Sequence, residues 1–200
     1  MFAKKTESSE KAEKSSSEYN IVREYNHIYF HCEVDRDSIF QLATLIREAE
    51  EESLITSLKL GMDEIPIYLH INSMGGYIYQ ALIMIDVMEA CKVPIHTIVE
   101  GSTASAGTLI SIFGKKRYIR PNAFMLIHQL STDSWGGGKM NELEDDFKNL
   151  QDLMEKMKKM YKDRTKMNKK ELNDILKHDL WFDSDKCIKC GLVDEMWTKR

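Results

Sequence analysis

Apolar positions along this chain alternate between two periods. Ile28-Tyr29-Phe30-His31-Cys32 is a short mixed run that predicts a strand. Ser38 to Glu51 places Ile39, Leu42, Leu45 and Ile46 at helical spacing. Leu54, Ile55, Leu58 and Leu60 leave open whether that helix continues until Gly61 ends it. Ile65 to Ile71 predicts a second strand, with Pro66 near its start, where proline is tolerated. Asn72-Ser73-Met74-Gly75-Gly76 predicts a sharp turn, and Tyr77 to Cys91 a helix with Ile78, Leu82, Ile85 and Met88 on one stripe. Further strands are predicted at Ile95–Val99, Tyr118-Ile119 and Phe124–Ile127. Strand and helix in alternation argue for right-handed α/β architecture around a largely parallel sheet.

Lys139 to Lys170 has a different pattern. Met140, Leu143, Phe147, Leu150, Met154, Met157 and Tyr161 step by three and four residues, and the other faces are charged. That heptad-type seam predicts one long helix that packs on its own domain or projects to pair with another subunit.

Residues 1–18 are Lys-, Glu- and Ser-rich and lack periodic apolar positions, which predicts a disordered segment before a single domain at 19–200. The mild net charge of −4 gives no footprint for nucleic acid. Lys115-Lys116-Arg117 is the one dense basic run of the folded part and reads as a solvated turn. No stretch is apolar and long enough for a membrane span, and no secretory segment precedes the cysteines. A cytoplasmic chain with reduced thiols follows as the expectation. Cys187 and Cys190 form a CxxC, but only His178 is near in sequence, so no metal or cofactor is expected there.

Candidate chemistry gathers at the carboxyl ends of the strands, where α/β folds place their sites. Ser105 sits in Gly101-Ser102-Thr103-Ala104-Ser105-Ala106-Gly107, just ahead of an apolar helical segment. A serine hydroxyl needs a base within hydrogen-bond reach to act as a nucleophile. His128 follows 23 residues later, at the end of the strand beginning at Phe124. The amides of Gly75 and Ala106 are candidates for an oxyanion hole. Spacing does not choose the acid among Asp145, Asp174, Asp179 and Asp183.

Four segments in this order resemble the Clp protease proteolytic subunit family. They are Asn72–Gly76, Gly101–Gly107, Pro121–Gln129 and Gly191-Leu192-Val193-Asp194, and the match spans about residues 25–197. The resemblance implies Ser105 as nucleophile, His128 as general base and Asp179, in His178-Asp179-Leu180-Trp181, as the orienting acid. It implies Gly75 and Ala106 as the oxyanion hole, and Gly76, Ile78 and Leu130 as substrate-binding residues. The implied fold is a crotonase-like spiral of βαβ units with a protruding handle helix at about 139–170. The implied assembly is two stacked heptameric rings around a chamber, fed by an AAA+ unfoldase that delivers proteins or peptides. Met74 and Leu130 stand where the family commonly has proline, and Gly136-Gly137-Gly138 lies at the handle base. The same residues leave three alternatives: a phage or viral head-maturation protease acting in a host cytoplasm without an ATPase, a catalytically silent ring subunit, or hydratase-type chemistry. The last would need glutamates in place of the triad, and Glu100 is the one glutamate near the Gly75 and Ser105 loops.

Overall fold

The computed structural model describes residues 21–131 and 139–198. The segments 1–18 and Gly136–Gly138 lie outside the described residues. The chain runs β1 (Ile21–Glu24), β2 (His27–Phe30), α1 (Arg36–Leu60), β3 (Ile67–Ser73), α2 (Ile78–Ala90), β4 (Ile95–Ala104) and α3 (Ala106–Ile112). It continues as β5 (Lys116–Ile119), β6 (Phe124–Leu126), α4 (Met140–Arg164), α5 (Lys169–Ile175), α6 (Ser184–Cys190) and β7 (Glu195–Met196). The sheet order is β1-β2-β3-β4-β5-β7, with β6 paired to β4. Among the described strands, the β1–β2 hairpin is antiparallel and the other pairs are parallel, as the strand–helix alternation predicts; an isolated antiparallel bridge joins Met125 to Phe182.

The first helix settles the ambiguity at 52–64. Asp35 caps its start by accepting from Ser38 N at 2.8 Å, while Asp35 N donates to Ser38 Oγ at 3.0 Å. The helix then continues to Leu60, and Gly61 closes it in the left-handed region at φ 61°. Ile39, Leu42 and Ile46 on its inner stripe are buried against Ile28, Phe30, Leu69 and Ile71 of the sheet. Each such side chain contributes roughly 1.5–3 kcal/mol of burial before chain ordering is counted.

Along β3, Ile67, Leu69 and Ile71 alternate with Tyr68 and His70, so the two sheet faces differ. The second face carries His27, Tyr29, Tyr68, His96, Tyr118 and Trp197 in a row of ring contacts. Within it, His27 Nδ1 lies 2.8 Å from His70 Nε2, and His70 Nδ1 lies 2.8 Å from Glu100 Oε1. Arg120 Nε donates to the same Glu100 oxygen at 3.0 Å. Burial alone would raise the Glu100 pKa, but His31, His70 and Arg120 outweigh it and hold the carboxyl well below its usual range. Burial and the neighbouring His70 lower His27. Both groups therefore give stability that is present above their unfolded pKa values, about 4.3 and 6.5. That stability is lost as pH falls through the lower folded values.

Glu100→Gln is accordingly expected to lower Tm at pH 7 by about 2–4 °C, the effect of about 1 kcal/mol in a chain of this size. It should also flatten the acid limb of a Tm-against-pH profile below about pH 4. An unchanged limb would refute the assignment.

Two expectations are corrected. The handle does not run unbroken through 139–170: it ends at Arg164, Thr165 is extended at φ −127° and ψ 177°, and α5 follows. Nor is Lys115–Arg117 a solvated turn. Lys116 and Arg117 lie in β5, and Arg117 is ion-paired to Asp194 and donates to the carbonyl of Gly191 at 3.0 Å. This fastens the carboxy-terminal segment to the sheet.

Candidate active site

Strand β4 delivers Ser105 by changing neighbours. Its first half pairs with β5 through His96–Val99, and its second half pairs with β6 through Ser102–Ala104. Gly101, at φ 56°, makes the corner between them. Against β3, the step from Ile71 to Ser73 is matched by the longer step from Val99 to Thr103. The strand ends at Ser105, whose φ of 52° and ψ of −126° are strained for a residue with a side chain. Ala106 then opens α3.

The β4–β6 pairing brings the other strand end alongside. Ser105 N donates to the carbonyl of Leu126 at 2.9 Å, and His128 lies two residues beyond. Gly75 packs against the serine from the β3 side: a Cβ there would stand 2.6 Å from Ser105 Cβ and 3.1 Å from Ala106 N. The Gly75 backbone therefore lies against the Ala106 amide, while its own N–H donates to Ser73 Oγ at 3.2 Å. Gly75 has φ 98° and is anchored by its carbonyl, which accepts from Val34 N at 2.7 Å. Gly76 is paired with Val34, and a side chain there would strike the Val34 carbonyl. Ile78 and Leu130 are half-buried against the core. Met74, Phe124, Leu180 and Trp181 are exposed.

Asp179 is the acid that comes near the histidine. Its Oδ1 is 3.8 Å from His128 Nδ1, outside hydrogen-bond range, and its side chain is 80% exposed. No hydrogen bond joins Ser105 Oγ to His128 among the described residues. The segment bearing Asp179 is pinned on either side. Leu176 O accepts from Gln129 N at 3.0 Å, and Phe182 exchanges two backbone hydrogen bonds with Met125. Both anchors lie on the stretch that carries His128. Asp145, an alternative acid, lies in α4, and Asp174 is ion-paired to Lys177. Asp183 caps α6 by accepting from Lys186 N.

Two residues behind the site carry no sequence signal that joins them to it. Thr108 and Tyr161 are 53 positions apart, yet their hydroxyls lie 2.6 Å from each other beneath Ser105. Tyr161 was legible only as one more seam position. Glu100 is occupied by His70 and Arg120 rather than presented to the site, which removes the glutamate that hydratase-type chemistry would use. Burial raises the Cys187 thiol to about 12 and raises Cys190 as well, so both are protonated at neutral pH.

A mostly parallel sheet thus carries a strained serine turn beside a strand that leads to a histidine. The Clp protease family model matches residues 22–200. The ATP-dependent Clp protease proteolytic subunit of Streptococcus mutans is 34% identical over 132 residues, covering 65% of this chain and 67% of that protein. The subunit of the same name from Streptococcus suis is 28% identical over 166 residues, covering 80% and 85%. A solved structure of a ClpP1 mutant from Listeria monocytogenes superposes with a TM-score of 0.72 at 20% identity, over 84% of this chain and 89% of that one. The chain belongs to the Clp protease family, a serine endopeptidase family.

Proposed function

We propose that this chain is a self-compartmentalised serine endopeptidase with Ser105, His128 and Asp179 as its triad. The observation that carries the reading is the strained Ser105 turn, with the Gly75 backbone packed on it and the His128 strand end paired beside it. Ser105 Oγ attacks a peptide carbonyl. His128 Nδ1 faces Asp179, which leaves Nε2 to take the serine proton and return it to the leaving amine. The Ala106 N–H, and the Gly75 N–H once it exchanges its Ser73 Oγ acceptor for the substrate, receive the negative charge of the tetrahedral intermediate. Water then releases the acyl group. Gly76, Ile78 and Leu130 border the substrate groove, together with the exposed Met74.

The triad is open in this conformation. Closing it requires the Asp179 carboxylate to approach His128 Nδ1 by about 1 Å and Ser105 Oγ to come within hydrogen-bond reach of the imidazole.

Rings of the family type are supported by the handle. Its inner residues Leu153, Met157 and Tyr161 are buried, while Met140 is 69% and Phe147 50% exposed. A seam left uncovered in one chain calls for a second copy. An AAA+ unfoldase partner is supported by the names of the relatives, which are ATP-dependent subunits. The bacterial relatives support a cytoplasmic setting.

Intact mass after reaction with a fluorophosphonate tests the reading. One adduct per chain, located on Ser105, is the expected result. No adduct on a sample that sediments as the full oligomer would make the chain a silent ring subunit.

A further inference from the structure

The Ser105 carbonyl and the Ala106 amide belong to one planar trans peptide, so they point in opposite directions. Whatever fixes that carbonyl also aims the amide. The carbonyl accepts from Thr108 Oγ1 at 2.6 Å and from Thr108 N at 3.0 Å. Thr108 Oγ1 also lies 2.6 Å from the Tyr161 hydroxyl. A carbonyl can only accept, so the single Thr108 hydroxyl proton is committed to it. The Tyr161 O–H must then be the donor to Thr108. Both residues are buried, at 0% and 1% exposure, so water does not compete for these groups.

We infer that Tyr161 is a positioning residue: through Thr108 it aims the Ala106 N–H at the reacting carbonyl, making the inner end of the handle helix the back wall of the oxyanion hole. The inference rests on the triad reading above. A turn in this φ/ψ region is strained and persists only where its surroundings over-determine it. The first turn of the seven-residue α3 supplies Thr108 alone. Tyr161 adds a support from outside that turn, and its own helix end is held firmly. Arg164 is ion-paired to Glu89 at 2.7 Å and stacked 4.3 Å over Phe113, and Thr165 Oγ1 donates to the Tyr161 carbonyl at 2.6 Å.

Tyr161→Phe keeps the ring and removes the donor. Thr108→Val removes the relay, and Thr108→Ser keeps it. Active sites are counted by fluorophosphonate titration. The kcat and KM of a short fluorogenic peptide and the affinity for a peptide boronate, which binds as a tetrahedral adduct, are then measured on the assembled enzyme. For Tyr161→Phe, kcat per titrated site should fall roughly tenfold, a part of the 10²–10³ that follows loss of a whole donor. KM should stay within about twofold, and boronate affinity should fall in step with kcat. Thr108→Val should lose more, and Thr108→Ser should match the wild type. A lower Tm and fewer titratable sites with unchanged kcat per site would overturn the inference, leaving Tyr161 a packing residue. A wild type that takes no fluorophosphonate would overturn the triad reading and this inference with it.

Discussion

Ser105→Ala should lower kcat/KM for a peptide substrate by about four to six orders of magnitude. The hydroxyl is the only group at the elbow able to form an acyl-enzyme, and no cysteine lies in the turn. Binding should persist, because the amides of Gly75 and Ala106 remain in place. Tm should change little, since alanine must adopt the same φ of 52°. His128→Ala should cost a similar factor, and the double variant should be no worse than either, because groups that act in one step lose their effect together. Rates measured with enzyme free of contaminating protease would decide it. A Ser105→Ala chain that retains a tenth of its activity would place the nucleophile elsewhere.

Gly75→Ala should be nearly as damaging by a different route. The new Cβ would stand 2.6 Å from Ser105 Cβ and 2.9 Å from the Ala104 carbonyl, at φ 98°. The hydrogen bond from Val34 N holds the Gly75 peptide, so the glycine cannot retreat without breaking it. The expected result is at least a 100-fold loss of kcat together with destabilisation of about 2–4 kcal/mol. Gly61→Ala is the control. It also has positive φ, but nothing lies within 4 Å of its added Cβ. It should cost about 1–2 kcal/mol and leave kcat unchanged. Equal kcat losses in the two variants would remove the case for close approach at Gly75.

Much of this fold could be read from spacing because local and tertiary demands agree. The stripe Ile39, Leu42, Ile46 faces the sheet as its period requires, and Gly61 ends the helix where a left-handed residue is needed. Sequence reasoning faltered where a distant partner decides. Beyond Val99, β4 runs through Glu100, Gly101 and Ser102, a stretch with no strand pattern, because β3 and β6 claim its backbone on either side. Strand β1 rests on little more than Ile21 and Val22, and pairing with β2 makes it. Arg117 looks like part of a basic run until Asp194, 77 residues away, meets it. The handle seam is continuous to Tyr161, and only the extended Thr165 breaks the helix that its charged faces would have prolonged. At the site, the candidate nucleophile, base and two amides stand in short motifs, while the choice among four aspartates rests on family resemblance. The relay behind them was illegible, because a hydroxyl on a helix face carries no mark of what it will touch.

The change of neighbour in β4 works as a ruler. Between the corner at Gly101 and Ser105, three consecutive pairings to β6 fix the count of residues, and the next amide is already committed to Leu126. One residue more or fewer in that span would exchange the two faces of the strand end and turn the serine away from the histidine. Length in this stretch is therefore as much a part of the chemistry as residue identity.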